Sequence, residues 1–111
     1  MVYDELLATR IKAALGPLPG LEEKKMFGGV GFLLNGNMAC GVHKNNLIVR
    51  IGAATYFKAL THPNTLPFDM TGKPMAGWIM VEPKGCEKED DLKAWVRQGL
   101  EFAMTLPNKG K

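Results

Sequence analysis

The chain has 111 residues, 46% of them hydrophobic and 23% charged, with a formal net charge of +3. That length suits a single domain that buries roughly two-thirds of its unfolded surface without disulfides or a metal, and the composition excludes wholesale disorder. No apolar run approaches the about 20 residues of a membrane-spanning helix, and the acidic, amphipathic start MVYDELLATRIKAAL is unlike a secretory signal; the expected location is the cytoplasm.

In chain order, Tyr3, Leu6, Leu7, Ile11, Ala14 and Leu15 recur at the i, i+3, i+4 spacing that lines one helix face, and Gly16-Pro17 closes that helix. LPGLEEKK predicts a loop. From Lys25 the period shortens to the short apolar runs GVGFLL, MACGV and LIVRI, which predict three strands. Asn35-Gly36 between the first two predicts a hairpin, because a type I′ turn needs positive φ at both central residues.

The run MFGGVGFLLNGNMACGV also invites a phosphate-cradle reading, which its spacing rejects. A G-x-G-x-x-G begun at Gly29 needs glycine where Leu34 stands, and no helix follows. Nor is Gly72-Lys73 a Walker A loop: Pro67 occupies the place of its first glycine and Pro74 follows the lysine. Gly36 therefore serves a turn, and Gly28, Gly29 and Gly31 a bulge or a close backbone approach.

AATYFKAL predicts a short helix with Tyr56, Phe57 and Leu60 inward, closed by His62-Pro63. LPFDMTGKPMAGWIMVEP divides into an extended piece at Leu66 to Phe68, a turn at Met70 to Lys73 and a strand from Trp78 to Val81. Leu92, Trp95, Val96, Gly99, Leu100 and Ala103 then form a helical stripe, with Glu87, Glu89, Asp90 and Asp91 where negative charge suits the helix dipole. Pro107 ends it, leaving residues 107–111 as a frayed tail. The whole is one domain, 1–111, of the α+β class: a two-layer fold with an antiparallel sheet of about five strands and helices on one face, in the order α-β-β-β-α-β-β-α.

Nothing converges on catalysis. The chain has no serine; its cysteines, Cys40 and Cys86, lack C-x-x-C spacing and read as free thiols; His43 and His62 fall in loops. Cys40 and His43 lie three apart on a strand, which places them on opposite faces. No ligand set for a metal and no cofactor motif is present, and Asp69 with Glu82 is a carboxylate pair only by elimination. A non-enzymatic protein is expected.

The remaining features concern surfaces. Met70, Met75 and Met80 with Trp78 suit either an adaptable binding face or an irregular core. Trp78-Ile79-Met80-Val81 contains no polar residue, so this strand is buried on both faces or covered by a second copy, and a homodimer is expected. Arg50 interrupts LIVRIG and points away from Val49 and Ile51, toward an anion, an acidic partner or Glu82. Lys73 sits in an exposed turn, where binding residues concentrate.

KKMFGGVGFLLNGNMACGV, LIVRIG, PFDMTGKPMAGWIMVEP and the Trp-bearing LKAWVRQGLEFA together resemble the N-terminal domain of the TfoX (Sxy) family, from Asp4 to Leu106. Met26-Phe27-Gly28-Gly29 and the Phe68 to Trp78 block carry the resemblance most specifically. It implies a two-layer α+β domain, often dimeric, linked to bacterial competence genes through full-length proteins that act as co-activators beside another transcription factor. No catalytic residues come with it, and a stand-alone N-terminal domain is expected, without the family's helical C-terminal domain. The expected function is a regulatory interaction domain that contacts a protein partner, such as a transcription factor, through Arg50, Phe68, Asp69, Lys73 and Trp78. Two alternatives stay open: a nucleic-acid accessory using Lys24, Lys25, Arg50 and Lys73, and a small-ligand domain.

Overall fold

Asp4 begins the first helix, α1 (Glu5–Leu15), in the computed structural model, which describes residues 3–26, 28–68 and 76–107. Its Oδ1 accepts from the Leu7 backbone N–H at 3.0 Å, satisfying one of the donors a helix start leaves orphaned. At the other end Gly16, at φ 72°, turns the chain out while its N–H bonds to the Lys12 carbonyl at 3.1 Å. The buried stripe is narrower than the sequence spacing predicts: Leu7, Ala8, Ile11 and Leu15 face the core, whereas Leu6 is 72% exposed.

Four strands follow, β1 (Leu21–Met26), β2 (Gly29–Leu34), β3 (Asn37–His43) and β4 (Asn46–Arg50). After α2 (Ala53–Ala59) come β5 (Thr65–Pro67), β6 (Trp78–Val81), a 3₁₀ turn at Pro83–Gly85 and α3 (Glu89–Met104). The fold is α+β, as expected, but its antiparallel sheet has six strands, in the order β1-β2-β3-β4-β6-β5. The added strand is β1, read from the sequence as loop. Its glutamates and lysines are poor strand formers, yet it pairs with β2 along its length, from Leu21↔Leu34 to Met26↔Gly29. As an edge strand it keeps Glu22, Glu23, Lys24 and Lys25 in reach of water. The opposite edge, β5, is three residues long and ends at Pro67.

The hairpin at Asn35-Gly36 forms as the dipeptide requires, with φ 53° and 87°. One residue on, the β2–β3 register slips: Phe32 faces Cys40 and Leu33 faces Met38, so Ala39 is an extra residue in β3. The bulge thus lies beyond the glycine run; Gly28 supplies a positive φ of 73° with open space around it, and Gly29 and Gly41 allow close approach. A Cβ on Gly29 would meet the Val42 carbonyl, and one on Gly41 would stand 2.8 Å from Met38 Cε and 3.1 Å from Gly31 Cα.

All three helices cover one sheet face. Leu7, Ile11 and Leu15 of α1, Tyr56 and Ala59 of α2, and Leu92, Trp95, Val96 and Ala103 of α3 enclose Val30, Phe32, Cys40, Val42, Leu47, Val49, Ile79 and Val81. α3 approaches most closely at Gly99, where a Cβ would meet the Ala39 carbonyl and lie 3.2 Å from Val49 Cγ1. The bulge and Gly99 fit each other. Phe57, expected inward, is 78% exposed, because Tyr56 and Ala59 take the inward face of α2; its ring stands edge-on to Tyr56 at 5.1 Å.

Cys86, directly after the 3₁₀ turn, is buried, and both cysteines are free thiols. Buried Asn37 donates through Nδ2 to the Pro107 carbonyl at 2.8 Å, while its Oδ1 has no partner among the described residues. Pro107, expected in the frayed tail, is thereby anchored; residues 108–111 lie outside the described residues. No helix among the described residues is long and apolar enough to cross a membrane.

Candidate functional site

Strand alternation sends a second set of side chains to the sheet face opposite the helices. Across the strands, Leu66, Met80, Ile48, Gly41, Gly31 and Lys24 stand in one register row. Met38, Ile48 and Phe68 form a small buried cluster on this face, with Leu33, Trp78 and Met80 packed against it. The wholly apolar Trp78–Val81 is explained by this division: Ile79 and Val81 enter the main core, while Trp78 and Met80 lie half-buried on the second cluster.

Three of the five expected partner-binding residues meet here. Phe68 continues the β5–β6 pairing, its N–H bonding to the Trp78 carbonyl at 3.3 Å, and its ring lies 6.3 Å from that of Trp78 and 6.1 Å from that of His43. Arg50 faces Trp78 directly across β4 and β6. Its guanidinium carbon sits 5.1 Å from the Trp78 ring centre and 5.5 Å from that of Phe102. Asp69 and Lys73, like Met70 and Met75, lie outside the described residues.

The alternative of an Arg50–Glu82 ion pair fails on register. Arg50 pairs with Trp78 at one end of β6, whereas Glu82 follows Val81 at the other, about 14 Å away along the strand. Among the described residues Arg50 has no carboxylate partner and donates no hydrogen bond; it is held by two aromatic rings instead. Ring contact of this kind is worth about 0.5–1 kcal/mol near the surface.

The described basic residues of the nucleic-acid alternative, Lys24, Lys25 and Arg50, do not gather. Lys24 and Lys25 alternate across edge strand β1, Lys24 sharing its face with Glu22, and three strand spacings, about 14 Å, separate Lys24 from β4. His43 ends β3 half-buried rather than lying in a loop, and exposed His62 stands edge-on to Trp95 at 5.4 Å. Among the described residues, no group of three or more His, Cys, Asp or Glu could hold a metal ion.

Sequence reasoning missed a cleft of about 270 Å³ between the start of α1 and the 3₁₀ turn, bounded by Leu6, Leu7, Asn45, Pro83 and Cys86. Arg10 crosses it, donating from Nη2 to the Glu87 carbonyl at 3.1 Å and pairing with Glu89 at 3.4 Å. Burial raises the Cys86 thiol pKa, which Arg10 partly opposes, and the Sγ–H donates to the Glu82 carbonyl at 3.7 Å. Nothing local marks Arg10 in the sequence, since its partners lie at the far end of the chain.

Residues 13–103 match the model of the TfoX N-terminal domain. The chain belongs to that family. The match runs from within α1 to within α3, so every strand of this TfoX N-terminal domain is included. No curated protein and no solved structure matches the chain.

Proposed function

We propose that this TfoX N-terminal domain is a non-enzymatic interaction module, serving transcriptional regulation in the cytoplasm by binding a protein partner on the sheet face opposite its helices. The observation that carries the reading is the grouping of Phe68, Trp78 and Arg50 on that face, beside Met38, Ile48 and Met80. Aromatic and arginine side chains with adaptable methionines are the residue types that anchor protein interfaces. A homodimer is part of the proposal.

The test is a tagged pull-down from nuclease-treated lysate, read by mass spectrometry, with wild type beside Arg50→Ala and Trp78→Ala. A transcription factor or polymerase subunit retained by wild type and lost by both variants supports the reading; equal retention by all three, or none by any, overturns it. Light scattering that shows a monomer at high micromolar concentration removes the homodimer. Protein is preferred over nucleic acid because the basic side chains are spread and interleaved with glutamates. Duplex DNA binding that collapses between low and moderate salt would reverse that preference.

A further inference from the structure

We infer that Arg50 is a carboxylate receptor: the partner segment taken by this face carries an aspartate or glutamate flanked by aliphatic side chains, the acid on Arg50 and the aliphatics on Trp78 and Met80. The inference rests on the docking reading above and specifies the chemistry of the partner. A half-buried guanidinium carries five N–H donors in its own plane, and contact with the Trp78 and Phe102 rings hydrogen-bonds none of them. Among the described residues nothing else takes them up. The rings hold the long side chain over one spot, so part of the ordering entropy of an ion pair is met before binding.

The anion is one of single charge. Beside Arg50, among the described residues of this face, half-buried Trp78 and Met80 lie over buried Ile48, Met38 and Phe68, all uncharged; Phe102 brings the end of α3 against the guanidinium, and Lys24 stands three strands away. A phosphate carries nearly two charges and suits a cluster of cations, whereas a carboxylate matches one guanidinium fork in charge and in bidentate geometry. The neighbouring surface is apolar and includes Leu66, 41% exposed, in the same register row as Met80. A free anion leaves that surface unused; an acidic peptide with aliphatic neighbours covers it.

The experiment is selection of a random dodecapeptide display library on the full chain, in parallel on wild type, Arg50→Gln, Arg50→Lys and Trp78→Ala. Enriched peptides are resynthesised with their acids and with Asn or Gln in place of them, and titrated by calorimetry with inorganic phosphate as a further probe. The expected result is wild-type enrichment of Asp or Glu beside Leu, Ile or Val, with the acidic peptide binding about tenfold or more tightly than its amide form. That preference is lost in Arg50→Gln and partly kept in Arg50→Lys. Equal binding of acid and amide forms, or phosphate binding as tightly as the peptide, overturns the carboxylate assignment; the docking reading then survives if Trp78→Ala abolishes peptide binding. Enrichment that Trp78→Ala leaves unchanged, or no enrichment on wild type, overturns both.

Discussion

Replacing Gly99 by alanine sets two calculable effects against each other. In the middle of α3 alanine is favoured over glycine by about 0.8–1 kcal/mol, so propensity alone predicts a more stable protein. At this site, however, the added Cβ would collide with the Ala39 carbonyl and lie 3.1 Å from its carbon and 3.2 Å from Val49 Cγ1. The main obstacle is backbone, the bulged residue held between paired Met38 and Cys40, and it has no rotamer by which to yield. Overpacking of this kind costs about 1–3 kcal/mol, with the upper part of that range expected for a backbone clash. The net expectation is a loss of about 1–2 kcal/mol, or a fall in Tm of roughly 4–10 °C for a chain of this size. Urea and thermal unfolding followed by circular dichroism would measure it, with Glu101→Ala, exposed on the same helix, as a control expected to change little. Ala39→Gly in the same background should not restore stability, because it removes a methyl and leaves the carbonyl. A Gly99→Ala protein as stable as wild type, or more so, would refute the close approach of α3 to the bulge.

Other outcomes follow from buried groups. Asn37→Asp removes the donor to the Pro107 carbonyl and should cost about 2 kcal/mol or more, with a greater loss at pH 7 than at pH 4, where the acid is neutral; paired urea titrations check this. Burial pushes the Cys40 thiol from 9.0 up to about 12, so the folded chain keeps a proton that the unfolded chain releases. The stabilisation is fully present below pH 9 and declines as pH rises from about 9 to 12, and Cys40→Ala should flatten that decline in unfolding titrations across the range. Arg50→Gln should stay folded and lose no more than about 1 kcal/mol in urea unfolding, since a half-exposed cation resting on two rings contributes little to stability.

What the sequence made legible was whatever depends on local chemistry. The Asn35-Gly36 turn, the stop at Gly16, the β6 boundaries and the α3 stripe each follow from a few adjacent residues. β1 escaped because edge strands tolerate charge on both faces, so LEEKK carries no alternation of burial and its pairing comes from the β2 partner. An apolar count puts Leu6 and Phe57 inward because it cannot show how wide a stripe the sheet covers. The bulge at Ala39 lies under Gly99 of α3, a neighbour 60 residues away that no local pattern announces. At the candidate site, the orientation of Arg50 away from the core was readable from Val49 and Ile51. Its neighbours were not, because α2 and β5 intervene between β4 and β6, and only the closed sheet sets Trp78 opposite it.

The two borders of the sheet bear on how copies of the chain can meet. An open strand border ordinarily recruits further strands, the route to fibrils and to dimers with a continuous sheet. Here one border carries Glu22, Glu23, Lys24 and Lys25, which a flat incoming strand would have to desolvate, and the other is three residues long and finishes in a proline that has no N–H to donate. Strand-by-strand polymerisation is therefore discouraged at both ends, and any contact between copies is left to side chains on a broad surface, where single substitutions can tune it without disturbing the backbone ladder.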